Sequence, residues 1–274
     1  MRVGFIGLGI QGAPMARRIA GAGYPTTLWA RRPRTLEQFA DTAAETAGSP
    51  AELAASSDLV CLCVVSDVDV REVLDGRDGV RAGLRRGSVL AVHSTVHPDT
   101  CRILAEELRP QGISVIDAPV TGGGPAAAEG RLTVLVGGPD DAVDRCRPVF
   151  ETFGERVVHL GGVGAGQVAK IVNNLLFTAN LAAATSALDL GAALGLDADR
   201  LGELLTHGTG NSFALGRIVA AGGTLHSIAA HANELLRKDV RLATDLADRA
   251  GAESGIVFQA AENTLAALDN LRGK

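Results

Sequence analysis

Four cysteines in 274 residues, Cys61, Cys63, Cys101 and Cys146, are too few and too scattered for a disulfide scaffold. Cys61 and Cys63 lie in a strand-like run whose alternation turns both side chains to one face, so reduced structural thiols are expected rather than metal ligands. A broad cationic field is also missing. With 26 Lys and Arg against 31 Asp and Glu, the formal charge is -5, which argues against DNA or RNA as a partner. No HExxH-type ligand set is present, and His93 and His97 are four apart across a strand-to-helix junction, so no metal is expected. The first apolar run is broken by glycines and lacks a small-residue cleavage site behind it, so no secretory signal is read there. A cytoplasmic protein is the expectation.

What the chain does have is the material of a core. A hydrophobic share of 46% argues against disorder, and 21% charged residues suffice for a soluble surface. A β-rich run at 2–6, a glycine turn, a helical pattern at 13–22, a second run at 26–29 and a helical stretch at 34–40 make a β-α-β beginning. Further strand candidates lie at 59–65, 88–92 and 113–117, separated by helical runs at 68–74 and 98–108. Their nearly continuous apolar character fits strands covered on both faces of a mostly parallel sheet. Runs at 132–136 and 157–160 add two more. The expectation is an α/β protein whose residues 1–161 form a doubly wound Rossmann domain.

From Gly164 the pattern changes to a long apolar helix over 164–194, then helical candidates at 198–205, 212–220, 229–250 and 253–271 without an intervening strand. Residues 162–274 are expected to form an all-helical domain for substrate, catalysis and oligomerisation. The long helix carries Lys170, Asn173, Asn174, Asn180 and Asp189, which suits packing in protein better than in lipid, so no membrane is expected. Its recurrent alanines suit close approach of another helix, from this chain or from a second copy.

Gly7-Leu8-Gly9-Ile10-Gln11-Gly12 has GxGxxG spacing between a strand and a helix. Gly7 permits the tight turn, Gly9 leaves room for a pyrophosphate, Gly12 allows helix to pack on strand, and the helix N-terminus offers oriented N–H groups. The second run ends Trp29-Ala30-Arg31-Arg32-Pro33 without the acid that would accept ribose hydroxyls of NAD. Arg31 and Arg32 suit a 2'-phosphate instead, so NADP is preferred with NAD possible; a solvated arginine pair is the competing account. Ser94 and Thr95 follow the 88–92 run, where a ligand would face the loop. After the 113–117 run, Thr121, Gly122 and Gly123 can offer a hydroxyl and backbone N–H groups to a small carboxylate, or merely turn the chain.

Lys170 and Asn174 share a helix face, with Asn173 one step around. Oxidation of an alcohol needs a base at its hydroxyl and the reverse reaction an acid, roles a lysine can serve in either direction. Lys238 and Asp239 are adjacent on a helix and need not pair; an ordinary amphipathic surface competes with a ligand role there.

Taken together, GFIGLGIQGAPMA at 4–16, STVHP at 94–98, DAPVTGG at 117–123, GAGQVAKIVNN at 164–174 and KDVRLATD at 238–245 resemble the β-hydroxyacid dehydrogenase family over nearly the whole chain. The resemblance implies that Lys170 is the catalytic acid/base and that Asn174 orients substrate. It places Thr121, Gly122 and Gly123 on the substrate carboxylate, and Lys238 near both cofactor and substrate. It places Gly7 through Gly12, Val65 and Thr95 on the cofactor side. It also implies reversible hydride transfer between a small β-hydroxy acid and its semialdehyde or oxo acid, closure of the helical domain over the substrate, and a homo-oligomer, dimer or tetramer. Two departures stand out: Thr121 where serine is common, and Val64-Val65-Ser66 where Leu-Pro is common. The alternatives are an imine reductase-like enzyme and an NADP-binding structural or sensory protein.

Overall fold

The computed structural model describes residues 1–272, with the side chains of Ser227, His231 and Arg272 excepted. The chain divides into two compact units, Met1–Lys170 and Ile171–Lys274.

In the first unit, β1 (Val3–Ile6) leads through a glycine turn to α1 (Gly12–Gly21), and then come β2 (Thr26–Trp29), a 3-10 turn (Pro33–Phe39) and β3 (Glu45–Thr46). α2 (Pro50–Ala55), β4 (Leu59–Leu62), α3 (Asp67–Asp75), α4 (Val80–Gly83), β5 (Val89–Val92), α5 (Pro98–Leu108) and β6 (Ser114–Asp117) follow. The six strands form one parallel sheet in the order β3-β2-β1-β4-β5-β6, the doubly wound arrangement with its reversal between β1 and β4. Every residue of β1, β4 and β5 is buried, as strands covered on both faces require. Their alternation divides the core: Val3, Phe5, Leu59 and Cys61 pack on one side, and Ile6, Val60, Leu62 and Leu90 on the other.

Beyond β6 the reading of the sequence needs correction. β7 (Val120–Thr121), α6 (Gly123–Glu129), β8 (Leu132–Val136), α7 (Asp140–Phe150) and β9 (Gly154–His159) build a separate three-stranded sheet, β7-β8-β9, rather than extending the first. β7 runs antiparallel to β8, so Thr121 is a strand residue rather than part of a loop. β9 begins at Gly154, before the expected 157–160 run, and β4 ends at Leu62 rather than at 65. The 34–40 helical stretch is 3-10.

The four thiols all belong to this unit. None is in a disulfide; Cys61, Cys101 and Cys146 are buried and Cys63 is half-buried. Burial raises all four, Cys63 and Cys146 to about 12, which leaves them protonated and inert.

α8 (Ala165–Ala193) begins in the first unit, and the second unit comprises the rest of it with α9 (Ala198–His207), α10 (Phe213–Ala220), α11 (His226–Ala250) and α12 (Ile256–Arg272). Among the described helices α8 is the one long and apolar enough to cross a membrane by length and composition alone. Ile171, Leu175, Leu181 and Leu188 of α8 nevertheless pack into a core with Leu215 and Ile218 of α10, Leu236 and Val240 of α11, and Leu265 and Leu268 of α12. By packing, the two units divide inside α8, whose first turn is hydrogen-bonded to β6 and to the loop after β5.

Candidate functional site

The turn after β1 sits beside the β1–β4 reversal, where doubly wound sheets take their ligands. Its three glycines are required for different reasons. Gly7 has a φ of +98°, and a Cβ there would lie 2.1 Å from the Cys63 carbonyl oxygen. A Cβ on Gly12 would lie 1.9 Å from the Gly7 carbonyl oxygen. A Cβ on Gly9 would meet nothing within 4 Å. Gly7 and Gly12 are therefore needed by the fold, whereas Gly9 borders open space, as a pyrophosphate site requires. The start of α1 has no side-chain cap and no acid in its first turn, and the Gly9 carbonyl accepts the Ala13 N–H at 2.9 Å. Leu8 is buried, Ile10 is 85% exposed, and the buried Gln11 Nε2 has no partner among the described residues. These features fit a dinucleotide.

Past β2, Arg31 and Arg32 are exposed, and no acid occupies 29–33. The Arg31 guanidinium lies 3.2 Å from Glu72 and 3.5 Å from Asp69 of α3. It is 64% exposed, so these pairs orient it weakly and leave it available to an anion.

The loops after β4 and β5 are tied together. Val65 is exposed, but Ser66 Oγ accepts the Asp69 N–H at 3.2 Å and donates to the Asp69 carboxylate at 2.6 Å, capping α3. Asp67 Oδ1 accepts the His97 N–H at 2.9 Å and the Thr100 hydroxyl at 2.6 Å. The Ser66-Asp67 pair thus stiffens, by hydrogen bonds, a loop that Leu-Pro would stiffen through a fixed φ. Ser94 is buried, and its Oγ accepts the Val64 N–H at 2.8 Å. Thr95 is half-buried. His93 is a core residue, with Nδ1 2.6 Å from the Ala118 carbonyl oxygen and its ring among Phe5, Phe150 and Phe153. Burial holds its pKa down to about 4, so it is neutral. His97 caps α5, with Nδ1 accepting the Asp99 N–H at 3.1 Å.

Thr121 closes β7 opposite Thr133, and Gly122 and Gly123 follow with φ of +129° and +81°, values that favour glycine. The sharp turn leaves Thr121 half-buried at its edge.

Lys170 is half-buried, one helical turn before Asn174. Asn174 Nδ2 donates to Asp239 Oδ2 at 2.6 Å, and Asn174 Oδ1 accepts from the exposed Asn173 at 3.0 Å. Lys238 and Asp239, which as helix neighbours need not pair, do so: the Lys238 ammonium is 3.2 Å from Asp239 Oδ1, the flexible stem bridging the angle between neighbouring positions. Asp239 is buried and joins two residues singled out from sequence, Asn174 by a hydrogen bond and Lys238 by an ion pair.

Two further buried polar residues lie inside the DAPVTGG and GAGQVAKIVNN motifs, where residue type alone does not single them out. Asp117 ends β6 completely buried, and its carboxylate accepts the N–H groups of Gly164 at 2.6 Å and Gln167 at 2.8 Å. Burial raises its pKa, and these backbone donors oppose the rise. Gln167, also completely buried, accepts the Val96 N–H at 3.1 Å and donates to the Ser94 carbonyl at 2.8 Å.

Comparison with known proteins agrees with this arrangement. Residues 2–161 match the family model of the NAD-binding domain of 6-phosphogluconate dehydrogenase, and residues 164–274 match that described as NAD-binding of NADP-dependent 3-hydroxyisobutyrate dehydrogenase. The mitochondrial 3-hydroxyisobutyrate dehydrogenase of Mus musculus is 35% identical over 252 residues, 89% of this chain and 75% of its own. The structure of Mycobacterium tuberculosis 3-hydroxyisobutyrate dehydrogenase with L-serine superimposes with a TM-score of 0.83 at 28% identity, covering 96% of this chain and 93% of that one. Psf3, solved with NADP+ and 2-OPP, gives a TM-score of 0.84 at 26% identity, covering 99% and 94%. A glycine turn built for a dinucleotide, an all-helical second unit and matches along both halves lead to one assignment: the chain belongs to the 3-hydroxyisobutyrate dehydrogenase-like β-hydroxyacid dehydrogenases, a family of NAD(P)-binding oxidoreductases.

Proposed function

We propose that this protein catalyses the reversible NADP-dependent oxidation of a small β-hydroxy acid to its semialdehyde or oxo acid. The observation that carries the reading is the Asn174–Asp239–Lys238 group: a buried carboxylate fixes the amide one turn beyond Lys170 and the lysine of the KD motif. Surface polarity alone would not bury Asp239 between them. The nicotinamide, when bound, takes or supplies the hydride at the carbinol carbon. Lys170 removes the hydroxyl proton in oxidation and returns it to the carbonyl oxygen in reduction. Thr121, with the N–H groups of Gly122 and Gly123, holds the carboxylate, and Asn174 orients the hydroxyl. Arg31 and Arg32 select the 2'-phosphate, a role in keeping with Psf3, a relative solved with NADP+.

The same reading takes the protein as a homo-oligomer. Val172, Leu176 and Leu190 leave an exposed apolar stripe on α8 that Leu194, 72% exposed, continues just past its end, and a second copy of the chain would cover it.

The test is an absorbance assay of NADPH formation and consumption across 3-hydroxyisobutyrate, other short hydroxy acids, L-serine and short semialdehydes. Turnover of an acid or semialdehyde is expected, and Lys170→Ala should lower kcat by about 10² to 10⁴ while sparing NADPH affinity. Near-wild-type turnover by Lys170→Ala overturns the lysine's role. Turnover of cyclic imines alone, or tight NADPH binding with no turnover at all, overturns the whole reading.

A further inference from the structure

α8 carries Lys170 on its second turn, yet the first turn of that helix has no freedom of its own. Asp117 and Gln167, both completely buried, tie it to the ends of two adjacent strands of the parallel sheet. Gln167 grips the chain on either side of Thr95, donating to the carbonyl before it and accepting from the N–H after it. Asp117 takes the N–H groups of Gly164 and Gln167 from a position four residues before Thr121. The surrounding glycines are cut to fit this carboxylate: a Cβ on Gly137 would come 2.6 Å from Oδ1, and one on Gly166 2.9 Å from Oδ2. Ser94 extends the tie to the neighbouring loop through its bond to the Val64 N–H.

We propose that Gln167 and Asp117 are positioning residues for proton transfer: they set Lys170 in register with Thr95 and with the Thr121 loop. The proposal rests on Lys170 being the acid/base. A core that needed only to close over the start of α8 could do so with apolar side chains. Here two polar groups are buried completely: Asp117 bonds to the start of the helix that carries Lys170, and Gln167 to the residues on either side of Thr95. A ligand-positioning misfit of about 1 Å can cost on the order of 10²-fold in rate, so a directional fastening at this point has a catalytic consequence that general packing does not.

The test is a double-mutant cycle on the full-length protein. It uses Gln167→Met, which keeps the volume and loses both bonds, Gln167→Glu, which keeps the acceptor for Val96, and Asp117→Asn, each alone and with Lys170→Ala. The readouts are kcat, KM, NADPH affinity by fluorescence, and Tm. Expected for Gln167→Met is a fall in kcat of about 10- to 100-fold with NADPH affinity within about twofold of wild type, and a smaller fall for Gln167→Glu. On the Lys170→Ala background the same substitution should lower the residual rate by less than about threefold, because the residue acts through the lysine already removed. A loss that multiplies in full on that background, or no loss in the single variants, overturns the proposal. If Gln167→Met does not fold, Gln167→Glu and Asp117→Asn complete the same cycle. Wild-type protein that turns over no acid or semialdehyde overturns the functional reading instead, so the two failures are distinguishable.

Discussion

Two helices of this protein start on glycine turns at the carboxyl ends of parallel strands, and they meet the electrostatics of a helix start in opposite ways. The first N–H groups of a helix attract negative charge. α8 satisfies them from within, through the Asp117 carboxylate. α1 brings no acid and no side-chain cap, and the position of Gly9 faces open space. The helix closed by its own anion is the one that carries Lys170, the residue proposed to move the proton. The helix left open is the one that awaits an anion from outside. Both begin with glycine-rich sequence, and the contrast lies in which strand end supplies a carboxylate.

The largest effect should come from making the open start resemble the closed one. Gly9→Asp places a carboxylate where the phosphates are expected, and the absence of neighbours within 4 Å allows the chain to fold around it. NADPH affinity measured by fluorescence titration should fall by roughly 10²-fold or more, since like charges in contact cost several kcal/mol, with Tm in the absence of cofactor little changed. An unchanged affinity would remove α1 from phosphate binding and dissolve the contrast.

A smaller effect tests the far end of the same cofactor. Arg31→Ala should reduce kcat/KM for NADP by about 10- to 100-fold, the range of a charge-assisted hydrogen bond, and leave that for NAD nearly constant. Equal losses with both cofactors would assign Arg31 to the α3 surface, where Asp69 and Glu72 already meet it.

The smallest effect concerns His93, which directly follows β5 at the carboxyl end of the parallel sheet. Its pKa is near 4 in the fold against an ordinary 6.5. Between those values the unfolded chain binds the extra proton, so stability is full above pH 6.5 and is lost as pH falls toward 4. By urea unfolding, wild type should lose about 2 kcal/mol from this group between pH 7 and pH 5, and His93→Leu should lack that share of the loss. An identical pH dependence in both would mean that the imidazole is not the buried neutral group described.

The sequence made the open helix start legible and hid the closed one. GxGxxG and the apolar runs of β1, β4 and β5 are local signals, and the parallel sheet follows from them. β3 is two exposed residues, Glu45 and Thr46, with no periodicity to find. β7 lies in a Val-Thr pair next to three glycines and becomes a strand only by pairing with β8. For the same reason β8 and β9 were legible as strands but not as a separate sheet, because pairing partners are not written locally. α7 was obscured by Pro148 inside its pattern. In the site, Lys170, Asn174 and Lys238 could be singled out by residue type and motif. The work of Asp117 and Gln167 could not, because a buried polar residue has meaning only through a partner, and theirs are 50 and 73 positions away in sequence.

The burial of three of the four thiols has a practical consequence. All four lie between Cys61 and Cys146, and none occurs in the helical unit. A thiol-specific reagent will therefore reach Cys61, Cys101 and Cys146 only when the sheet-containing unit opens, without any engineered label. Labelling kinetics with and without NADP would report how strongly the cofactor holds that one unit shut, while the helices beyond Lys170 contribute no signal.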